Sequence, residues 1–213
     1  VARKLAPLQQ AAAEIDGDVH FLTANAGDLE AARATLGYAI AELGGLDILV
    51  NNAATNPYYG PMIDISPEQF DKIIQVNLRG PLFWSSEAWH QRFQRYPGVI
   101  LNISSGGSVH VDEGLGVYNV AKAALNHCTR QLANELSPTR VVGIAPGLID
   151  TDFSKVLVDS FGDRLRAALP ARRLGTPQDV ANLALLLVSD AGSYITGETY
   201  MVDGGIGSLG VNL

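Results

Sequence analysis

The sharpest chemical feature of the sequence is Tyr118-Asn119-Val120-Ala121-Lys122, which sets a tyrosine and a lysine four residues apart. On a helix that spacing is one turn, so both side chains share a face. A free phenol has a pKa of about 10, too high for efficient proton transfer near neutrality. An ammonium one turn away favours the phenolate and is expected to lower that value. Taken alone, the spacing is weak, and the pair reads better as two neighbours on an exposed helix. Two further residues favour acid–base chemistry: Ser105, in a loop ahead of the tyrosine, and Asn77, inside the helix before that loop.

Elements that could position these groups follow from patterning. Helices are expected at Ala6 to Ile15, and from the N-cap Asp28 to about Leu43, closed by Gly44-Gly45. Another should run from the Ser66-Pro67-Glu68-Gln69 start to about Tyr96, bent near Gly80-Pro81, with more at Val117 to Leu136 and Pro177 to Val188. Strands are expected at Val19–Thr23, Leu46–Val50, Val99–Ile103, Arg140–Ala145 and Thr199–Val202, with irregular or short-helical chain from Pro146 to Gly175. Strands alternating with helices of this length imply βαβ units, a parallel sheet and helices on both faces. The expectation is a doubly wound, Rossmann-like α/β fold in a single domain over residues 1–213. Such sheets bind ligands beyond the carboxyl ends of their strands. Asn51 to Ala54, Ser104-Ser105 and Pro146-Gly147 would converge there.

The chain resembles the short-chain dehydrogenase/reductases along essentially its whole length. The motifs that carry the resemblance are Leu46-Asp47-Ile48-Leu49-Val50-Asn51-Asn52-Ala53, Val76-Asn77-Leu78-Arg79-Gly80, Asn102-Ile103-Ser104-Ser105 and Tyr118-Asn119-Val120-Ala121-Lys122. Ala145-Pro146-Gly147-Leu148-Ile149-Asp150-Thr151 and Ile195-Thr196-Gly197-Glu198 complete them. The stretch Asn51 to Pro61 is most similar to the carbonyl- and retinal-reductase branch. The resemblance implies that Tyr118 is the general acid of reduction and base of oxidation. It makes Ser105 the donor to the substrate oxygen, and Lys122 the group that holds the cofactor ribose and biases Tyr118. Asn77 would fix a water in a proton relay behind Lys122. Hydride transfer would belong to a nicotinamide. Cofactor contacts would come from Arg3, Lys4, Asn25, Ala26, Asn52, Ala53, Ala54, Pro146, Gly147, Ile149 and Thr151, besides Tyr118 and Lys122.

NADP is favoured over NAD. The position that would carry an acid for the ribose 2′-hydroxyl is Ala2, followed by the cations Arg3 and Lys4. The alternative is a solvated basic pair and an NAD-dependent alcohol dehydrogenase. The family's glycine-rich T-G-x-x-x-G-x-G turn is nowhere in the sequence. Gly205-Ile206-Gly207-Ser208-Leu209-Gly210 fits G-x-G-x-x-G but has only three residues after it, too few for a helix to meet a pyrophosphate. The reading therefore expects about one strand–turn–helix–strand segment ahead of Val1. It also expects an open lane in the sheet between the strands at Val19 and Leu46.

Composition narrows the class further. Hydrophobic residues make up 47% and charged residues 17% of 213, as in an ordinary globular domain, and the formal charge of −7 argues against nucleic acid. The single Cys128 suits a reducing compartment, the cytoplasm. No apolar run is long enough to span a bilayer, and His110 and His127 lack partners at metal-ligand spacing, so neither membrane nor metal is expected. The expected protein is an NADP-favouring oxidoreductase of carbonyls or secondary alcohols. A homotetramer is expected, paired through its long helices, with Gly205 to Leu213 as a packed tail. A catalytically silent cofactor-binding or scaffold protein is the rival, disfavoured because a scaffold has no need of Asn77, Ser105, Tyr118 and Lys122 together.

Overall fold

The structure is a computed structural model describing residues 1–207, apart from the side chains at 156, 157, 160, 161 and 163–165. The part of the expected tail from Ser208 onward lies outside the described residues. Four parallel strands, β1 (Ile48–Asn51), β2 (Val99–Ile103), β3 (Arg140–Pro146) and β4 (Thr199–Val202), form one sheet in the order β1-β2-β3-β4. The register sets Asn51 beside Asn102, Ile103 beside Ile144 and Pro146 beside Val202, so all four carboxyl ends meet at one edge.

Helices cover both faces. On one, Ile100 and Val141 pack with Ala32 and Leu36 of α2 (Leu29–Glu42), Trp84 and Ala88 of α4 (Gly80–Ala88) and Leu132 of α5 (Gly116–Glu135). On the other, Val99, Leu101, Val142 and Ile144 meet Leu187 of α7 (Pro177–Val188). The alternation within β2 is the period-two geometry of a strand buried on both sides. Helix starts follow local chemistry. Asp28 accepts from the Glu30 and Ala31 amides, and Ser66 with Gln69 closes a capping box on α3 (Pro67–Ile74). Thr176 with Asp179 does the same for α7, and Arg173 clamps that carboxylate at 2.7 and 2.8 Å. The first helix, α1, is Leu5–Ala13.

Two expectations are corrected. Val19–Thr23 is not a strand: Thr23 makes one isolated parallel bridge, to Ala2. Ala24 N donates to Ala2 O at 3.0 Å, and among the described residues no neighbouring pair extends this bridge into a ladder. The stretch before Gly175 contains a full helix, α6 (Lys155–Ala168), whose pattern Gly162 interrupts and whose exit is pinned by buried Leu169 and Leu174. The long helix expected through Gly80-Pro81 is found, passing through widened turns at Gln75–Arg79 and Trp89–Phe93. Pro81 has no amide to donate, and Gly80 N reaches back five residues to Gln75 O.

β1 is an edge strand, with Ile48 and Val50 42% and 50% exposed although their run reads as a buried strand. Among the described residues no strand pairs with its outer side.

Gly80 is where α4 meets the turn at Ala26. A Cβ there would stand 2.7 Å from Ala26 O, the oxygen that accepts from Trp84 Nε1 at 3.0 Å. Gly80→Ala should therefore destabilise the fold by about 1–3 kcal/mol, read as a lower urea midpoint at unchanged m-value.

Candidate active site

Ser105 leaves the end of β2 and caps a single turn, Gly106–Ser108, its Oγ accepting from Gly107 N at 3.3 Å. α5 begins across from it and carries Tyr118 and Lys122 on its first two turns. The Ser105 side chain lies close enough to the Tyr118 phenol to lower its pKa. Lys122 is 2% exposed; its Nζ donates to Ile103 O at 2.8 Å and lies 5.7 Å from the centre of the Tyr118 ring. The strand end returns the grip, with Ser104 Oγ donating to Lys122 O at 3.1 Å. The three groups chosen from the sequence thus meet at the carboxyl edge of the sheet.

Electrostatics depart from the spacing argument. The tyrosine pKa is not lowered. Burial pushes it up, the Ser105 side chain opposes this, and the nearby Asp112 carboxylate adds to the rise. Burial also lowers Lys122 to about 8. Desolvation disfavours both charged forms, and it outweighs the attraction inferred from one turn of helix.

Asn77 is fully buried, and the hydrogen bonds it makes go to Thr55 and Ile73 rather than to Lys122. Its Oδ1 accepts from Thr55 N at 3.0 Å, and its Nδ2 donates to Thr55 O and Ile73 O at 2.7 and 3.0 Å. It therefore fastens the loop after β1, where Asn52, Ala53 and Ala54 lie, to the helix behind it. Pro146 and Gly147 sit against the serine loop, a Cβ on Gly106 meeting Pro146 O at 3.4 Å. Ile149 and Thr151 follow on the same chain exit, joined to Gly175 by the Ile149 bridge and to Ser154 by Thr151 N. Arg3 and Lys4 are exposed beside the Ala2–Thr23 bridge, which brings the chain start next to Asn25 and Ala26. Asn25 is occupied in its own turn, accepting from Gly27 N at 3.1 Å, and Ala26 O is held by Trp84.

Sequence reasoning missed a buried polar chain under the site. Asn51 Nδ2 donates to Asn102 Oδ1 at 2.9 Å, and Asn102 Nδ2 donates to Thr129 Oγ1 at 3.0 Å. Thr129 Oγ1 in turn donates to Leu125 O at 3.0 Å. The available signal was Asn102 itself, an amide inside the apolar run Val99–Ile103.

A protein-family model described as enoyl-(acyl carrier protein) reductase matches residues 2–207. The dehydrogenase/reductase SDR family member 4 of Sus scrofa is 40% identical over 212 residues, spanning 98% of this chain and 75% of its own length. The chain belongs to the short-chain dehydrogenase/reductase family. The human protein of that name is 36% identical over 211 residues, spanning 96% of this chain and 76% of its own. A Brucella melitensis short-chain dehydrogenase/reductase, titled glucose/ribitol dehydrogenase, superposes with TM-score 0.88 at 29% identity, covering 93% of this chain and 81% of that one. A Burkholderia cenocepacia gluconate 5-dehydrogenase in complex with NADP and tartrate superposes with TM-score 0.82 at 28% identity, covering 87% and 74%. As a short-chain dehydrogenase/reductase, the protein is an NAD(P)-dependent oxidoreductase.

The short-chain dehydrogenase/reductase site fits the nicotinamide-ribose end of such a dinucleotide. An ammonium has three N–H donors, and buried Lys122 spends one on Ile103 O, so a ribose diol would find donors there. For the pyrophosphate the sequence holds no glycine-rich T-G-x-x-x-G-x-G turn, so the fit rests on the nicotinamide end.

The Lys122 shift has a stability consequence. Its folded pKa of about 8 lies below the unfolded value of about 10.4, so the unfolded chain binds more protons between them. Stability from this group therefore rises with pH across that window. Urea denaturation at pH 7.5, 9 and 10 should show wild type gaining on Lys122→Met by up to about 1.4 kcal/mol per pH unit. A flat difference would refute the shift.

Proposed function

We propose that this protein reduces a carbonyl, or oxidises the matching secondary alcohol, with Tyr118 as the proton donor and acceptor. The observation that carries the reading is the buried Tyr118 phenol, with the Ser105 side chain beside it and the Lys122 ammonium 5.7 Å from the centre of its ring. The raised pKa keeps the phenol protonated at neutral pH, the form a general acid needs. Ser105 and Tyr118 then offer two O–H donors to one substrate oxygen, and stabilise the negative charge that develops there. Lys122 holds the ribose and places a positive charge beside the phenol, which favours its return to the phenolate in oxidation. Asn77 sets the loop carrying Asn52 to Ala54 against the same edge, the part of its role that geometry supports directly; the water relay remains part of the proposal. When bound, the nicotinamide supplies or accepts the hydride.

NADP is the proposed cofactor. Ala2 brings no carboxylate to the ribose 2′ position, and exposed Arg3 and Lys4 beside Asn25 are free to meet a phosphate. The Burkholderia neighbour crystallised with NADP supports this. The proposed assembly is a homotetramer in the cytoplasm, supported by the apolar residues Phe70, Phe83 and Val120, left exposed on the helices from Ser66 to Tyr96 and on α5. No helix of the described residues is long and apolar enough to cross a membrane.

Tyr118→Phe keeps the ring and removes the proton. Its kcat on a ketone panel should fall by about 10²–10⁴ with an unchanged circular dichroism spectrum; more than about a tenth of wild-type kcat retained would refute the acid assignment. Arg3→Ala should raise KM for NADPH several-fold and leave KM for NADH unchanged, whereas equal effects would count against the phosphate reading. Light scattering at micromolar concentration should give four chain masses, and a monomer would overturn the assembly.

A further inference from the structure

α5 turns a polar stripe toward the end of β2. Asn119, Lys122, Asn126 and Thr129 stand at i, i+3, i+7 and i+10, one face of the helix, and all four are at least nine-tenths buried. Each holds a different point of the chain between Asn102 and Asp112. Thr129 takes Asn102, Lys122 takes Ile103 O, and Asn119 Nδ2 donates to Asp112 Oδ2 at 3.1 Å. Asn126 Nδ2 donates to Ser108 Oγ at 2.7 Å.

The last bond reaches the catalytic loop. Ser108 Oγ donates to Ser105 O at 2.6 Å, and Ser108 N donates to the same oxygen at 2.9 Å. A hydroxyl has one proton. With Asn126 filling a lone pair of Ser108, that proton is directed to Ser105 O. The loop needs such a fixture. Gly107 has to be glycine, because a Cβ there would stand 2.0 Å from Asn119 Oδ1 and 2.5 Å from Asp112 Oδ2. Two successive glycines, Gly106 and Gly107, give the loop its close seat on α5 and deprive it of intrinsic stiffness.

We propose that Asn126, acting through the Ser108 hydroxyl, is a positioning residue that holds Ser105 in hydrogen-bonding register with Tyr118. The inference rests on the reading of Ser105 as a donor to the substrate oxygen. Neither Asn126 nor Ser108 touches the reacting atoms. Both act on the backbone carbonyl of the residue that does, and a misplacement of about 1 Å at such a site can cost about 10²-fold in rate.

The test compares wild type with Asn126→Leu, Asn126→Asp, Ser108→Ala, Ser108→Thr and the Ser108→Ala/Asn126→Leu double variant. Asn126→Asp is the informative polar change: a carboxylate cannot donate, so it draws the Ser108 proton away from Ser105 O. Ketone reduction in Asn126→Leu, Asn126→Asp and Ser108→Ala should fall about tenfold in kcat, with NADPH affinity by fluorescence titration unchanged. The double variant should be no slower than either single one, and Ser108→Thr, which keeps the hydroxyl, should restore kcat to within about twofold of wild type. Amide hydrogen exchange should quicken at residues 105–108 in the three disrupting variants and nowhere on α7. Wild-type kcat in Asn126→Leu, additive losses in the double variant, or unchanged exchange at 105–108 would each overturn the proposal. So would a loss of NADPH affinity matching the loss of kcat. If wild type reduces no carbonyl, the proposed function fails, and the exchange measurement still decides whether Asn126 and Ser108 hold the loop.

Discussion

Lys122 carries its ammonium into a place with almost no water, and its one hydrogen bond to the described protein is to the Ile103 carbonyl. Moving a charge out of water costs several kcal/mol even after relaxation. Among the described residues no carboxylate pairs with it. The surroundings are arranged around that burden. β2 ends where its last carbonyls can face α5, and Ser104 ties its hydroxyl to the carbonyl of Lys122 itself. The first turns of α5 are thereby drawn onto the strand end, which sets Tyr118 against Ser105. Burial then dominates the phenol as well, keeping its proton in place while it draws the Lys122 pKa down to about 8.

A second layer of polar groups keeps that arrangement in place. Asn51, Asn102 and Thr129 link the ends of β1 and β2 to the middle of α5, inside an otherwise apolar layer. Asn77 secures the loop that continues from β1. A buried amide left unsatisfied costs about 1–3 kcal/mol, so each member constrains the next. The rigidity of the strand-end edge comes from this mutual satisfaction more than from the loops, which are short and rich in glycine.

The sequence discloses what is local. Asp28 and Ser66 mark helix starts because a cap is a contact within three residues, and both are seen. The strands at Val99–Ile103 and Arg140–Pro146 were legible because buried parallel strands are continuous apolar runs, and Ile48–Asn51 and Thr199–Val202 carry the same kind of run although they stand at the ends of the sheet. Val19–Thr23 has strand-like residues too, but a strand is made by its neighbours, and among the described residues Ala2 is its one bridge partner. Tyr118 and Lys122 were legible from one helical turn, while the direction of the tyrosine shift was not, because burial is a property of the packed chain. The Asn51–Asn102 pair lies hidden for the same reason: 51 residues separate its members.

The two glycines after Ser105 have opposite freedoms. Gly107 is pressed against Asn119 and Asp112, whereas a methyl group on Gly106 would meet only ordinary contact distances, the nearest being Pro146 O at 3.4 Å. Variation in this loop is therefore directional. A methyl group can be admitted at 106, beside Pro146 O at the end of β3, and is barred at 107, where it would prise the loop from α5. A drift in the width of the cleft can thus arise by single substitutions at one position while its neighbour preserves the seat on which proton transfer depends.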